Sequence, residues 1–336
     1  MVLTPFDGEV NYKIIQSYDK IQTMTNSKLL NQFRSFYFRN YPDDMEIQIE
    51  YFAVFGGLGW SVDTTKPIIV LIEELILKNF SNLNEKITQL TLGEDNNKRL
   101  LRALAVGDRR IFSAFNRAGL NNGNGGAALN YLQEKGLVSL EYSREEPARS
   151  LNPNGKLKRE MARHRISHKV LFSQPFIRFW FYFIAPHTKD ILEENYDKLF
   201  KDFKIKQNSY TSLIFEELSE VLLNYHIREA QILSSGSYWD ANIEIDILTV
   251  TDKEETYVGE CKWTNHKVNK KEYHKLKEKC ERLDIEPTQI ALFSKRGFSK
   301  ELESMQSATL ALYSSEEFKA LVKNSSKAEL IEDFIN

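Results

Sequence analysis

The sequence is poor in cysteine and contains no long apolar run, and each absence excludes a class of protein. Its two cysteines, Cys261 and Cys280, are too few for a disulfide-stabilised secreted scaffold or a thiolate zinc finger, and they favour a reducing, cytoplasmic environment. The most apolar stretch, residues 67–77, is too short to cross a bilayer and contains two glutamates, so we expect no membrane insertion. The N-terminus lacks the basic segment and apolar core of a secretory signal.

Several catalytic motifs are missing as well. The sequence contains no G-x-x-x-x-G-K-[ST] phosphate-binding loop, no H-E-x-x-H zinc motif and no G-x-S-x-G nucleophile motif. We therefore expect no ATP as a ligand and no histidine-based metal site. The 45 Lys and Arg residues nearly balance the 47 Asp and Glu residues, so any affinity for nucleic acid has to come from local basic patches.

Hydrophobic periodicity divides the chain into three predicted domains. Residues 1–92 are predicted to be all-helical, with helices over residues 11–24, 28–38, 46–55 and 67–79. Residues 93–190 predict three short helices, a β-hairpin and a buried aromatic linker helix. Residues 195–336 predict a small mixed sheet with helices on its faces, so the expected fold class is multidomain α+β.

The order helix, helix, helix, hairpin is that of a winged helix-turn-helix. In this geometry the third helix, residues 126–135, faces the major groove of DNA and the hairpin forms the wing. Basic residues around both parts predict contacts to DNA phosphates: Arg109, Arg110, Arg117, Lys156, Lys158, Arg159, Arg163 and Arg165. The alternative is a packing or protein-binding module with a solvated basic loop.

The C-terminal domain places charged residues within apolar strands. Asp246 lies in a strand predicted over residues 243–250, and Glu260 and Lys262 end the next strand, residues 256–262. Residues two apart on a strand share a face, so Glu260 and Lys262 project together while Cys261 points into the core. If the two strands form a hairpin, Asp246 lies beside Glu260.

Such a cluster suits phosphodiester hydrolysis. The carboxylates of Asp246 and Glu260, with Glu216 from the preceding helix and the backbone carbonyl of Cys261, are oxygen ligands of the kind that Mg²⁺ or Mn²⁺ takes. Lys262 can orient the attacking water and add positive charge at the phosphate. The alternative is an ordinary salt-bridge cluster of Asp246, Glu260 and Lys262 on a solvated sheet face.

The same segments resemble the PD-(D/E)XK nuclease-like superfamily, most closely the nuclease-like domain fused to archaeal-type ATPases. The resemblance spans about residues 97–336 and rests on short motifs in the family's order: Phe215-Glu216, Tyr238-Trp239, Glu244-Ile245-Asp246 and Glu260-Cys261-Lys262-Trp263. The segments AALNYLQEKGLV and PFIRFWFYFIAP are similar to the family's winged helix and linker. The resemblance implies a restriction-endonuclease-like sheet and favours Asp246 over Glu244, which shares its strand face, as the catalytic acid.

We therefore expect a metal-dependent DNA endonuclease with Asp246, Glu260, Lys262 and Glu216 as catalytic residues. A homodimer would allow both strands of a duplex to be cut. A second hypothesis is a DNA-binding regulator or scaffold whose nuclease fold is silent. A third is a protein-binding module, which predicts no salt-sensitive affinity for DNA.

Overall fold

The computed structural model describes residues 27–145, 165–227 and 229–323. The helix predicted over residues 11–24 and the wing residues Lys156, Lys158, Arg159 and Arg163 lie outside these ranges. Within them the chain has the α+β character expected from its sequence, with a helical N-terminal region and a C-terminal mixed sheet of five strands. No helix in the described ranges combines the length and the apolarity needed to span a bilayer.

The N-terminal region consists of four helical segments, three of them close to their predicted positions. They are α1 (residues 27–40), α2 (Met45–Phe55), α3 (Ile68–Leu71, extended by the π-helical turn Ile72–Leu77) and α4 (Phe80–Leu90). Asp44 begins α2 by accepting a hydrogen bond from the amide of Ile47 at 2.8 Å, which satisfies a free donor of the first turn. Phe33 packs edge-on against Phe52, with ring centroids 5.2 Å apart.

Three helices and a two-stranded antiparallel hairpin follow, in the predicted order. They are α5 (Asp95–Val106), α6 (Ile111–Ala118), α7 (Asn122–Glu134), β1 (Val138–Glu141) and β2 (Lys169–Phe172). Helix α6 ends at Gly119, whose φ of 63° is left-handed and favours glycine. Helix α7 begins before the predicted residue 126, because the side chain of Asn121 accepts the amide of Asn124.

The aromatic segment is a buried connection, as predicted. It comprises α8 (Pro175–Phe179), a π-helical turn (Trp180–Ile184), a 3₁₀ turn (Ala185–His187) and the short helix α9 (Thr188–Leu192). Phe176, Phe179 and Phe183 are at most 1% exposed. The next helix, α10 (Asp197–His226), has 30 residues and is longer than the helix predicted over residues 210–225.

The C-terminal region forms the five-stranded sheet. Its elements are β3 (Ile232–Ser234), β4 (Tyr238–Trp239), β5 (Glu244–Ile245), β6 (Ile247–Thr251), β7 (Thr256–Lys262), α11 (Lys270–Arg282), β8 (Gln289–Ser294), α12 (Lys300–Glu303), β9 (Leu310–Ser314) and a 3₁₀ helix (Ser315–Leu321). The strand order is β3-β6-β7-β8-β9. The β3/β6 and β6/β7 pairs are antiparallel, whereas β7/β8 and β8/β9 are parallel.

The two faces of the sheet pack against different helices. Cys261 and Phe293 belong to the apolar cluster that contains Phe215 of α10. Val258 and Leu292 belong to a second cluster with Leu276 of α11. Because successive residues of β7 alternate between these clusters, its end presents Glu260 and Lys262 on the α11 side.

Two C-terminal predictions are wrong in detail. The strand predicted over residues 243–250 is interrupted at Asp246, because β5 pairs with β4 while β6 pairs with β7. The closing helix predicted from Ser315 is a 3₁₀ helix whose start is held by Ser314 and Glu317, which bond each other's backbone amides.

A single apolar cluster runs through all three predicted domains. It extends from Leu29 in α1 to Val322 after the last helix. Polar contacts accompany it: the Nζ atom of Lys295, which is 4% exposed, lies 2.7 Å from Glu50 and 3.2 Å from Glu46 of α2. Helix α2 is therefore in direct contact with the carboxyl end of β8, an interior strand of the sheet.

Candidate active site

Asp246 lies at the bend between β5 and β6, where two parts of the C-terminal region meet. Its Oδ2 atom accepts a hydrogen bond from the backbone amide of Cys261 at 2.8 Å. The register pairs Ile247 with Gly259, so the preceding Asp246 lies next to Glu260. The structure thus brings together the two carboxylates that the sequence placed on neighbouring strands.

Glu260 and Lys262 project from the same face of β7 and form an ion pair. A second ammonium group reaches Glu260 from α11, because the Nζ atom of Lys279 lies 2.8 Å from its Oε2 atom. Burial opposes the ionised form of Glu260, but Lys262 and Lys279 together hold the pKa of its carboxyl below the ordinary value. Glu260 in turn raises the pKa of Lys262 against the effect of burial.

Glu216 approaches Asp246 from α10. Burial raises the pKa of Glu216 to about 7, although the charges of Arg109 and Lys169 oppose this shift. Burial also raises the pKa of Asp246 well above its ordinary value, and the negative charges of Glu216 and Glu260 raise it further. Asp246 therefore couples electrostatically to both other predicted carboxylates.

The arrangement is not a preformed metal centre. Among residues 27–145, 165–227 and 229–323, no three His, Cys, Asp or Glu side chains are placed so that they could hold one ion. Both carboxylate oxygens of Glu260 face ammonium groups instead. Cys261 is buried, and burial together with the charge of Asp246 raises the pKa of its thiol, so this side chain is not a thiolate at neutral pH.

A cavity of about 450 Å³ adjoins Asp246 and Glu216, between the β1/β2 hairpin, α10 and the β4/β5 pair. Its wall combines apolar side chains such as Leu171 and Phe172 with many charged ones. The carboxylates in its lining are Glu141, Glu216, Glu217, Glu220, Glu244 and Asp246, and the cations are Lys28, Arg109 and Lys169. Carboxyl groups outnumber cations in the lining, but the pKa values of Glu216, Glu217 and Asp246 are raised, so part of the carboxyl groups are protonated near neutral pH. Glu260 and Lys262 lie beyond Asp246 on the α11 side.

Lys169 of the hairpin forms an ion pair with Glu244, and this contact distinguishes Glu244 from Asp246. Its side chain is 2% exposed, its Nζ atom lies 2.6 Å from Glu244 Oε1, and it lies 4.3 Å from the centroid of the Trp239 ring. Although burial opposes it, Lys169 and Arg110 keep the pKa of Glu244 below its ordinary value. Glu244 is thus a structural partner of Lys169, whereas Asp246 lies beside Glu260.

The predicted DNA-contacting arginines fall into two groups. Arg109 has a φ of 65°, and its side chain, 11% exposed, lies 3.5 Å from Glu217 inside the cavity. Arg110 lies 3.9 Å from Glu244. Arg117 and Arg165 are exposed, so they are the described members of the set that an external ligand can reach.

Three residues of the site were missed by the sequence reasoning. Lys279 continues the hydrophilic pattern of α11, and only its position next to the buried Leu276 and Cys280 indicates that it turns toward the sheet. Lys169 directly precedes the apolar run Val170-Leu171-Phe172, and this position in a buried strand is the one local signal that its side chain is buried. Glu217 directly follows Glu216, and no local pattern signals its burial against Arg109.

One part of the chain, which includes the candidate site, matches a known domain family. Residues 180–276 match the model of a domain family, DUF234, described as archaeal and bacterial proteins of unknown function. Neither the curated proteins nor the solved structures show a significant match to the chain. The matched segment runs from the aromatic connection through α10 and β7 into α11, and it contains Glu216, Asp246, Glu260 and Lys262.

Proposed function

We propose that this protein is a metal-dependent nuclease that hydrolyses phosphodiester bonds in DNA. One observation carries the proposal: Asp246 lies close enough to Glu216 and Glu260 for their charges to raise its pKa, and it is hydrogen-bonded to the end of β7, the neighbouring strand that presents Glu260 and Lys262. A carboxylate such as Asp246, whose pKa is raised by burial and by two neighbouring carboxylates, is costly to keep ionised without a counter-ion. Such clusters occur where a cation or a reacting phosphate supplies the missing charge balance.

The donor atoms suit a hard divalent cation. Glu216, Asp246 and Glu260, with the carbonyl oxygen of Cys261, offer the oxygen ligands that Mg²⁺ and Mn²⁺ prefer, and the three carboxylates would have to move closer together to hold one ion. The ion, when bound, makes hydroxide accessible near neutral pH and offsets negative charge on the phosphate. Glu260 has to exchange an ammonium partner for the ion, since Lys262 and Lys279 occupy both of its oxygens.

The protein's own side chains have separate roles in this proposal. Lys262, whose pKa is raised by Glu260, stays protonated at neutral pH and acts as a positive charge toward the phosphate instead of as a base. Glu216 has a pKa of about 7 in the metal-free chain, so binding of the cation would release a proton from it near neutral pH. Asp246 is held in place by the amide of Cys261, so its carboxylate does not need to be ordered during the reaction.

The three helices and hairpin of residues 95–172 would act as the winged helix of this nuclease. The order of the elements, the exposed Arg117 and Arg165, and the resemblance of the α7 segment support that role. The contact between Lys169 and Glu244 joins the hairpin to the β4/β5 pair that precedes Asp246, so DNA bound by this unit would lie at a fixed position relative to Asp246.

A DNA-binding regulator with a silent site is the second candidate. It is favoured by the double engagement of Glu260 by Lys262 and Lys279, which is what a purely structural ion-pair cluster would show. Under this hypothesis the charges stabilise the junction of β7 with α11 and never meet a metal ion.

Cleavage assays separate the two candidates. The full chain is incubated with supercoiled plasmid and with end-labelled linear duplex in Mg²⁺, in Mn²⁺ and in EDTA. The proposal expects metal-dependent cutting that falls on the order of 100-fold in Lys262→Gln. The matched control is Lys253→Gln, an exposed lysine in the turn between β6 and β7, which should cut like the wild type.

Cutting that Lys262→Gln leaves unchanged would remove Lys262 from the mechanism. A wild-type chain that shifts DNA in a salt-dependent manner but never cuts it, with either metal, would establish the regulator instead. A chain that does neither would contradict both candidates.

A further inference from the structure

Helix α11 has a basic surface that the proposed mechanism does not use. The helix contains six Lys and Arg residues against three Glu residues, in a chain whose formal net charge is −2. Its buried side is formed by Leu276 and Cys280, and most of its charged side chains face solvent. The exposed charge of the helix is therefore predominantly positive, with Glu278 lying among the cations.

The cations on this face are aligned. Lys271, Lys275 and Lys279 follow one another at intervals of four residues, and Arg282 comes three residues later. Side chains spaced by three and four residues lie on the same side of a helix, so these four form a row. At a rise of 1.5 Å per residue the row is about 16 Å long. We call these four residues the α11 row.

The α11 row leads directly to the candidate site. Lys279 lies 2.8 Å from Glu260, and Glu272, on the same helix, lies 4.0 Å from Lys262. Lys271, Lys275 and Arg282 extend from this contact as exposed side chains. A polyanion lying along the row would therefore pass the residues at the end of β7.

The stability of the helix accounts for only half of this charge pattern, since Lys279 and Arg282 lie in the last turn, where a cation interacts favourably with the helix dipole. Lys271 lies in the first turn, where a cation interacts unfavourably with the helix dipole. Neither Lys271 nor Arg282 forms an ion pair with another residue in the described part of the chain. Lys275 pairs at 2.8 Å with Glu272 of the same helix, a solvated contact that contributes little to stability.

We infer that the α11 row binds the sugar–phosphate backbone of a nucleic-acid strand and guides it to Glu260 and Lys262. The inference rests on the proposed function and adds the surface along which the substrate lies. A linear polyanion fits better than a small anion, because the cations are spread over three turns and do not converge on one point. The cavity on the other side of Asp246 has six carboxyl groups and three cations in its lining, so it offers no excess of positive charge to a phosphate, whereas the α11 side does.

The test measures binding without catalysis. The full chain is titrated into a fluorescein-labelled 30-base-pair DNA duplex in EDTA, and anisotropy is followed from 50 to 200 mM KCl. The variant Lys271→Gln/Lys275→Gln/Arg282→Gln leaves Lys279 and the site intact. We expect its Kd at 100 mM KCl to rise at least 10-fold, and the slope of log K against log salt to fall by about 2 to 3.

The control variant Lys198→Gln/Lys201→Gln/Lys204→Gln changes the net charge equally on α10, where the three lysines are also exposed. It should bind within 2-fold of the wild type. The variant Lys271→Arg/Lys275→Arg keeps the charge and should retain affinity. Equal losses in both triple variants, no loss in the α11 variant, or a wild type without salt-sensitive binding would overturn the inference.

The binding assay tests the α11 row, and the cleavage assay tests the nuclease activity. Loss of affinity in the α11 variant, together with a wild type that does not cut in Mn²⁺, leaves the row as a nucleic-acid surface and rejects the nuclease. A wild type that cuts, and whose α11 variant binds and cuts normally, retains the nuclease and rejects the row.

Discussion

The carboxylate of Asp246 is fixed by the backbone amide of Cys261, 2.8 Å from its Oδ2 atom. This hydrogen bond joins the start of β6 to the end of β7 and positions the side chain between Glu216 and Glu260. It stabilises the ionised form of Asp246, yet burial and the two neighbouring carboxylates outweigh it and raise the pKa. Asp246 is thus held firmly by its hydrogen bond, while its ionised form is disfavoured by its surroundings. Such strongly shifted pKa values are common at functional sites.

Replacing Asp246 by asparagine separates these two effects. In Asp246→Asn the amide oxygen can still accept from Cys261, but the negative charge is gone. We expect metal-dependent cleavage to fall on the order of 100-fold, while the melting temperature stays the same or rises because like-charge repulsion is relieved. Plasmid cleavage and thermal melts check the two parts, and a variant that cuts normally or melts well below the wild type would contradict them.

Lys279 should compete with a divalent ion for Glu260. Lys279→Gln frees the Oε2 atom of Glu260, so we expect Mn²⁺ to bind several-fold more tightly, seen as a larger rise in melting temperature per added metal. The matched control is Lys277→Gln, an exposed lysine on the same helix. If Mn²⁺ affects both variants and the wild type equally, Glu260 is not a metal ligand.

Glu217 should make stability depend on pH. Burial raises its pKa to about 7, although Arg109 and Arg178 oppose the shift, from an ordinary value of 4.5. The folded state therefore binds a proton that the unfolded state has lost, and this contribution is present at low pH and disappears as the pH rises through about 7. We expect Glu217→Gln to be more stable than the wild type by about 1 to 3 kcal/mol at pH 8.

The difference between Glu217→Gln and the wild type should shrink as the pH is lowered to 5. Urea unfolding at several pH values measures it. Glu278→Gln, which removes an exposed glutamate, should show no such trend. An advantage of Glu217→Gln that is the same at pH 5 and pH 8 would show that ionisation of Glu217 is not its origin.

Two adjacent glycines of α7 should respond in opposite directions to alanine. A Cβ atom at Gly125 would lie 2.7 Å from ring atoms of Phe115, whereas one at Gly126 would have no atom within 4 Å. Gly125→Ala should therefore destabilise the chain by about 1 to 3 kcal/mol through overpacking. Gly126→Ala should stabilise it by about 0.5 to 1 kcal/mol, because alanine favours the helix. Chemical denaturation of both variants tests the packing of α7 on α6.

The sequence predicted the elements well where a local pattern determined them. Apolar alternation identified β7, and the spacing of Glu260 and Lys262 correctly placed them on one face. The break at Asp246 was not predictable, because it arises when residues 244–245 leave the sheet to pair with β4. That choice depends on contacts with Lys169, which lies 75 residues earlier in the chain.

The surroundings of the arginines were likewise not predictable, because they depend on contacts between residues distant in sequence. Arg109 and Arg165 look alike in sequence, yet the first pairs with a buried glutamate and the second faces solvent. Only tertiary packing separates a basic residue that neutralises a cavity from one that can meet a ligand. The roles proposed for Arg117 and Arg165 remain predictions on these grounds.

Lys295, which directly follows β8, joins helix α2 to the sheet through two ion pairs. Its side chain is 4% exposed and its ammonium group lies between Glu46 and Glu50, so removal of α2 would take both counter-ions away from this cation. Limited proteolysis of the folded chain should therefore yield no stable fragment that contains the sheet but lacks the amino-terminal helices. We expect α2 and the five-stranded sheet to unfold in one cooperative transition.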